Sequence, residues 1–248
     1  MNPPASRTPI NFDQHCLFVG TTGAGKTERT KKQLRWRIQE LNHFAIPKDI
    51  YKIIVIDTKP MHYGGDDEKG HFADIPDAVI SRDWHKYNPN GPRRVFVLRP
   101  KQGDIHPALF DGFFKYLASL QYVNKEKKES QKPFLLVMDE LTDIITQDGK
   151  RVVYVQSLDK LLKQGRESLQ TVWINTQYPV FIDASIKRLA TVKFIFRLLD
   201  KKDRDMMADF LGYENVRKKI IHKYGFWYQN EMIEKTQIRP MYYTGENA

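Results

Sequence analysis

The stretch CLFVGTTGAGKTERTKK, residues 16–32, decides the fold. Its first four residues are apolar and predict a short buried strand. Residues 20–27 then match the P-loop pattern G-x-x-x-x-G-K-[ST] at every fixed position. Glycines in such a loop let backbone N–H groups turn toward phosphate oxygens, and the helix that follows adds its positive end. The stretch therefore predicts a strand, a phosphate-binding loop and a helix.

The predicted nucleotide-binding residues run from the first glycine of the motif into the first turn of the helix. They are Gly20, Thr21, Thr22, Gly23, Ala24, Gly25, Lys26, Thr27 and Glu28. We expect Lys26 to reach the β- and γ-phosphates and the hydroxyl of Thr27 to bind Mg²⁺. The motif leaves open what the nucleotide is used for, because switches, kinases and motors share it.

Composition narrows the class of protein. The 248 residues suffice for one α/β domain with a substantial core. Forty Lys and Arg against thirty Asp and Glu give a formal net charge of +10, which favours nucleic acid as a partner and an anionic membrane surface second. The single cysteine excludes an internal disulfide and a cysteine-based zinc cluster. The proline-rich start is not typical of a signal peptide, and no apolar run reaches the roughly 20 residues of a membrane span.

Further along the chain, apolar runs alternate with helical patterns. The predicted strands after the first lie at residues 51–59, 93–100, 133–140, 171–179 and 191–200. The predicted helices after the P-loop helix lie at 106–123, 152–168 and 201–212. Residues 223–243 predict two more strands, antiparallel at a sheet edge. The alternation predicts an α/β fold with a mainly parallel twisted sheet and helices on both faces.

The predicted organisation is a single RecA-like P-loop domain of the ASCE type with two flanking segments. Residues 1–14 are expected to form an extended arm, residues 15–212 the core, and residues 213–248 an extension of edge strands. A strand between the P-loop strand and the strand at 133–140 would fit the hydrolytic, motor-type branch of P-loop proteins.

Two adjacent carboxylates end the strand FLLVMDE. Asp139 is placed to bind Mg²⁺ through water, and Glu140 to polarise a water for in-line attack on the γ-phosphate. A switch GTPase would need an N-K-x-D segment, and NKEK at residues 124–127 lacks the aspartate. No arginine-rich lid of a small-molecule kinase stands out either. Asp57 is either a further carboxylate of this edge or a helix cap.

Residues 161–212 resemble the FtsK/HerA superfamily of DNA-pumping ATPases. The shared features are a helix ending in the basic residue Arg166, the strand motif NTQYP, the segment IDASI and the strand FIFRL with Arg197. VIDTK and VLRP look like the second and third strands of that family. With the P-loop and VMDE, the resemblance covers residues 16–212 in order. No pattern of the larger members' accessory domains is expected in these 248 residues, and this minimal build resembles the packaging ATPases of double-jelly-roll, membrane-containing icosahedral viruses and poxviruses.

The resemblance implies roles for further residues. Gln177 would contact the γ-phosphate or the attacking water, and Arg166 would act as an arginine finger on a neighbouring subunit's ATP, with Arg197 as the competing finger. For DNA, the best candidates are Lys150 and Arg151 in the loop TQDGKR; the charged run at residues 124–132 is a second candidate. Aromatic residues in YGFWYQN suggest either base stacking or packing.

The expected function is an ATP-driven translocase of double-stranded DNA that uses Mg²⁺ and packages a viral genome. It would assemble as a hexameric or pentameric ring, contact a capsid vertex or portal protein, and work in the host cytoplasm or at the packaging vertex of the virion. Three alternatives stay open. They are a cellular or plasmid pump of the same superfamily, a phage assembly ATPase that does not move DNA, and a P-loop switch without turnover.

Overall fold

The structure is a computed structural model in which nine strands form one sheet and two more form a hairpin, over the residues that it describes. Those residues are 10–59, 70–101, 105, 107–120, 132–144, 146–148, 151–153, 156–182, 184–211, 214–218, 224–230 and 240–241. The strands are β1 (Cys16–Val19), β2 (Lys52–Ile56), β3 (Ala78–Ser81), β4 (Val95–Leu98), β5 (Phe134–Met138), β6 (Thr146–Asp148), β7 (Arg151–Val153), β8 (Gln170–Thr176), β9 (Val192–Phe196), β10 (Phe226–Asn230) and β11 (Pro240–Met241). The helices are α1 (Lys26–His43), α2 (Pro107–Ser119), α3 (Gln156–Gln164), α4 (Ala184–Leu189) and α5 (Lys201–Leu211).

The strand order across the sheet is β11-β10-β9-β1-β8-β5-β2-β4-β3. Neighbours from β9 to β3 are parallel, whereas β10 runs antiparallel to β9 and β11 antiparallel to β10. This confirms the mainly parallel sheet and the antiparallel strands at its C-terminal edge. It also confirms the predicted insertion, because β8 lies between the P-loop strand β1 and the strand β5 that precedes the two carboxylates.

Each face of the sheet carries its own hydrophobic core. Helix α1 covers one face, where Leu34 packs with Phe18 and Trp173. Helices α2 to α5 cover the other, where Phe113 packs with Leu17 and Leu136. Strands β1, β2, β4 and β5 are buried at every residue, because both faces are covered. All parallel strands point the same way, so the residues that follow them lie together along one side of the sheet, at the carboxyl ends of the strands. This side is called the carboxyl edge below.

The region between β5 and α3 differs from its prediction. A helix was expected from residue 152, yet β6 and β7 form an antiparallel hairpin and α3 begins at Gln156. The β-branched pair Val152 and Val153 favours an extended backbone, which outweighs the helical pattern of the residues that follow. The helix ends at Gln164, near the predicted stop at Gly165.

Other regions add to what the patterns predicted. Strand β3 and the short helix α4 were not predicted. Before β1, the buried guanidinium of Arg37 donates hydrogen bonds to the carbonyls of Ile10 and Asn11, which fastens that segment to α1. Within the described residues, no helix is both long and apolar enough to cross a membrane. The domain boundaries at residues 14 and 212 stay predictions.

A buried histidine links β1 to the helical face. The Nδ1 atom of His15 accepts a hydrogen bond from the Val172 N–H at 2.9 Å, and its Nε2 atom donates to the Leu162 carbonyl at 2.9 Å. The ring is 1% exposed, and burial lowers the pKa of His15 to about 4. The folded protein therefore holds the neutral ring, whereas the unfolded chain binds a proton near the ordinary pKa of 6.5.

We expect the free energy of unfolding to fall as the pH drops from 6.5 toward 4. A lowered histidine pKa contributes stability that is fully present above 6.5 and is lost toward pH 4, amounting to about 3 kcal/mol. Chemical denaturation between pH 4 and pH 7.5 measures it. The variant H15Q should be less stable at pH 7.5 and show a shallower pH dependence, while H43Q, at an exposed position, should keep the wild-type slope. Equal slopes for H15Q and wild type would contradict the assignment.

Candidate functional site

The P-loop lies between the end of β1 and the start of α1. Gly25 has φ 95°, a left-handed conformation that favours glycine. Gly20 packs so closely on β9 that a Cβ atom there would lie 2.6 Å from the Cβ of Phe196. The Thr21 N–H donates to the Arg197 carbonyl at 3.0 Å. The glycines thus let the loop lie against the neighbouring strand and turn its backbone toward the helix.

Lys26 is buried inside this loop. Its Nζ atom donates hydrogen bonds to the carbonyls of Gly20 at 2.5 Å and Thr21 at 3.0 Å. Burial, and next the charge of Lys59, lower the pKa of Lys26 to about 8, while Glu140 and Asp139 oppose the shift. The amine is thus placed at the loop where the predicted phosphate contacts would form.

Thr27 and Asp139 meet across α1 and β5. The Thr27 hydroxyl donates to Oδ1 of Asp139 at 3.0 Å. Asn175, near the end of β8, donates to the same oxygen at 2.8 Å, and its own carbonyl accepts from the Thr30 hydroxyl at 2.9 Å. Asn175 therefore fixes the orientation of Asp139, a role that sequence reasoning missed. The sequence does contain a signal for this role: Asn175 directly follows the apolar run VWI of a predicted strand, and a buried amide needs hydrogen-bond partners.

The second oxygen of Asp139 fits a cation. Oδ2 is fully buried, accepts no hydrogen bond, and lies 3.3 Å from the ammonium of Lys59, which follows β2. A hydroxyl and a carboxylate are ligands of the kind that Mg²⁺ uses in nucleotide sites, where it keeps several waters. Thr27 and Asp139 are the residues predicted to hold the ion, and that assignment stays a prediction. No role was predicted for Lys59 from the sequence.

Glu140 is held beside the end of β8. Its side chain is buried, and Oε1 accepts from the Thr142 hydroxyl at 2.9 Å and from the Gln177 N–H at 3.3 Å. The side chain of Gln177 in turn contacts the P-loop, since its Oε1 atom accepts a hydrogen bond from the Thr22 hydroxyl. The structure therefore brings together Glu140, Gln177 and the P-loop, three sites that lie far apart in sequence.

These side chains line one cavity of about 600 Å³. Besides the predicted residues, its lining includes Lys59, His71, Thr142, Tyr178 and Tyr224. Tyr224 lies against the loop, because its ring comes within 3.3 Å of where a Cβ atom of Gly25 would be. The cavity is large enough for a nucleoside triphosphate, and its lining includes the cationic side chains of Lys26 and Lys59 and the carboxylate of Glu140.

Asp57 lies deeper at the carboxyl edge. Its Oδ1 atom lies 3.2 Å from the Arg99 guanidinium, and its Oδ2 atom accepts from the His71 N–H at 2.7 Å. Burial and the nearby Asp139 raise the pKa of Asp57, which Arg99 opposes. Its interaction with Asp139 supports a further carboxylate beside the site, whereas the helix-cap alternative is not tested, since residues 60–69 lie outside the described residues.

The two candidate arginine fingers lie at opposite ends of the parallel strands. Arg197 follows β9 beside the P-loop, and its Nε atom is buried without a hydrogen-bond partner. Arg166 precedes β8, and its Nε atom donates to the Asp13 carbonyl, just before β1, at 3.2 Å. Of the DNA-binding candidates, Arg151 begins β7, whereas Lys150 and residues 124–131 lie outside the described residues.

Comparison with solved structures shows which proteins share this fold. The genome packaging NTPase B204 of Sulfolobus turreted icosahedral virus 2, in complex with ATP-gammaS, matches 94% of this chain and 100% of its own, at 15% identity and a TM-score of 0.64. B204, the DNA-packaging ATPase from Sulfolobus turreted icosahedral virus, matches 94% and 100% at 14% identity and a TM-score of 0.63. The chain shares the fold of these proteins.

A second group of structures has the same fold. EssC (ATPases 2 and 3) from Geobacillus thermodenitrificans matches 92% of this chain and 40% of its own, at 13% identity and a TM-score of 0.55. No protein-family model matches the chain, and no curated protein matches its sequence. At these identities the likeness concerns the fold, and it confirms the RecA-like fold expected from the resemblance to FtsK/HerA-type packaging ATPases.

Proposed function

We propose that the chain is an ATPase that uses Mg²⁺ and pumps double-stranded DNA as a homo-oligomeric ring, packaging a viral genome. One observation carries the hydrolytic part: Glu140 lies at the cavity of the P-loop, hydrogen-bonded to the end of an inserted strand whose Gln177 contacts Thr22. A phosphate-binding loop with a carboxylate and a polar strand end on its γ-phosphate side is the arrangement that activates water for phosphoryl transfer.

The residues divide the work as follows. The P-loop backbone and Lys26 bind the phosphates, and Thr27 and Asp139 hold Mg²⁺, which neutralises charge on the β- and γ-phosphate oxygens. Glu140 orients a water for in-line attack and accepts its proton. Gln177 links the γ-phosphate position to β8, so release of the phosphate would change the contacts of Gln177 and could shift that strand. Low exposure of Asp139 and Glu140 strengthens these electrostatic contacts.

The DNA-pumping part has separate support. A net charge of +10 suits a partner with a phosphate backbone. The region that matches this chain spans all of B204, a genome packaging NTPase, but only 40% of EssC, so this chain corresponds in extent to B204. The hairpin β6–β7, which carries Arg151, follows Glu140 closely in sequence and would couple the site to a DNA contact. A ring of six or five subunits at a capsid vertex or portal, in the host cytoplasm or virion, completes the proposal.

A test compares ATP turnover with and without double-stranded DNA. We expect DNA to stimulate the wild-type rate, with the half-saturating DNA concentration rising about tenfold or more between 50 and 200 mM salt, because phosphate contacts release counterions. The variant K26A, which lacks the phosphate contact, is the matched control and should show no turnover under any condition. Electron microscopy with a slowly hydrolysed ATP analogue and duplex DNA tests the ring directly.

A second candidate follows from the other group of structures. EccC (ATPases 2 and 3), from the type VII secretion ATPase of Thermomonospora curvata, was solved in complex with a signal sequence peptide and matches 94% of this chain and 38% of its own, at 14% identity and a TM-score of 0.53. An ATPase that moves polypeptide, or an assembly ATPase, would hydrolyse ATP but neither bind DNA nor respond to it. Turnover without DNA binding at low salt would therefore overturn the DNA-pumping part and keep the ATPase.

A further inference from the structure

Lys59 brings a positive charge to the point where the two predicted metal-binding groups meet. Its Nζ atom lies 3.3 Å from the Thr27 hydroxyl and 3.3 Å from Oδ2 of Asp139. The Lys59 side chain is 18% exposed and that of Asp139 is fully buried. The ammonium is therefore largely shielded from water and interacts with both partners at once.

The backbone around Lys59 is anchored by a separate ion pair. The Arg99 guanidinium, just after β4, donates to the Lys59 carbonyl at 3.0 Å and lies 3.2 Å from the carboxylate of Asp57. Asp57 is fully buried, and Arg99 is nearly so. Two neighbouring parallel strands thus hold the start of the Lys59 side chain in place, so its position is built into the carboxyl edge.

This position conflicts with a bound metal. A Mg²⁺ ion held by the Thr27 hydroxyl and Asp139 would compete for the same two groups that the Lys59 ammonium contacts. Two cations this close repel each other strongly where little water screens them. The Lys59 ammonium and a divalent ion therefore exclude each other from the contact with Asp139.

We propose that Lys59 is a built-in competitor of the divalent metal, which couples metal binding to nucleotide binding. A metal alone must displace the ammonium from Asp139. A nucleotide brings phosphate oxygens into the cavity that Lys59 lines together with Lys26, and these oxygens give the displaced ammonium new partners. Metal and nucleotide then strengthen each other's binding more than they would without Lys59. This inference rests on the proposed nucleotide site and deepens it.

The test uses Mn²⁺ as the probe, with free Mn²⁺ measured by electron paramagnetic resonance. The full-length K59M variant keeps the length of the side chain and removes its charge. We expect K59M to bind Mn²⁺ about tenfold more tightly than wild type without nucleotide, and to show a correspondingly smaller gain in Mn²⁺ affinity when a slowly hydrolysed ATP analogue is added.

Matched variants separate charge from shape. K59R keeps a cation and should retain weak Mn²⁺ binding, while K101M removes an exposed lysine and should behave as wild type. Adding D139N to K59M should abolish the gained affinity. If K59M does not fold, K59Q removes the charge and retains a hydrogen-bond donor.

Two results would overturn the inference. One is an unchanged Mn²⁺ affinity in the uncharged variants, and the other is a weaker one, which would make Lys59 a support for the metal site. None of these measurements needs turnover. A protein that fails to hydrolyse ATP therefore refutes the proposed enzyme activity, while the Mn²⁺ result still decides the role of Lys59.

Discussion

Replacing Glu140 with glutamine is expected to lower the rate of ATP hydrolysis about a thousandfold while ATP still binds. The amide oxygen of glutamine can keep the hydrogen bonds that Glu140 accepts from the Thr142 hydroxyl and the Gln177 N–H. The amide cannot accept a proton from the attacking water. The loss therefore falls on the chemical step, and the P-loop keeps its phosphate contacts.

Steady-state turnover and calorimetric titration with ATP distinguish these steps. K26A should lose affinity and turnover together, since it removes the phosphate contact itself. E40Q is the matched control and should keep the wild-type rate, because Glu40 lies about 20 Å along α1 from the P-loop. A rate for E140Q within a few-fold of wild type would refute the role of Glu140 as the base.

The parts of the site predicted from sequence are those whose chemistry lies in contiguous residues. Lys26 and Thr27 belong to a contiguous motif whose fixed positions bind phosphate or Mg²⁺ through the backbone or the side chain. Asp139 and Glu140 follow a fully apolar run, and that run predicts a buried strand with polar groups at its end. The continuous burial of such runs also predicts a parallel sheet, which places all these strand ends at the carboxyl edge.

The parts that were not predicted depend on which strands become neighbours. Lys59 reaches Asp139 because β2 pairs with β5, and Asn175 reaches it because β8 pairs with β5 on the other side. Neither residue belongs to a contiguous motif with a known phosphate task. The hairpin β6–β7 was missed for a local reason, since two valines outweighed a helical pattern in the next residues.

The strand direction also indicates whether each candidate arginine finger could reach the ATP of its own subunit or that of a neighbour. Arg166 precedes β8 and Gln177 follows it, so seven strand residues, about 23 Å, separate them. Arg166 therefore cannot serve the P-loop of its own chain. Arg197 lies beside that P-loop, and its carbonyl holds Thr21. We infer that a finger at Arg166 would act on a neighbouring subunit, whereas Arg197 would act within its own.

The variant R166A is expected to hydrolyse ATP about a thousandfold more slowly than wild type and to bind ATP normally, because an arginine finger acts on the charge of the transition state. Mixing inactive R166A with inactive K26A should restore turnover. In a randomly mixed ring at equal amounts, about one quarter of the interfaces pair an intact P-loop with an intact Arg166.

The matched mixture of R197A with K26A should stay inactive if R197A is itself inactive. In every subunit of that mixture either the P-loop or the arginine beside it is missing, so no interface recovers both. R188A, at an exposed position of α4, controls for the general loss of a surface arginine. Recovery with R166A but not with R197A assigns the trans role to Arg166. If R166A and K26A do not recover turnover at any mixing ratio, the trans role of Arg166 is refuted. No role within its own subunit would then remain for Arg166 as a finger, because it lies at the end of the strands opposite the P-loop.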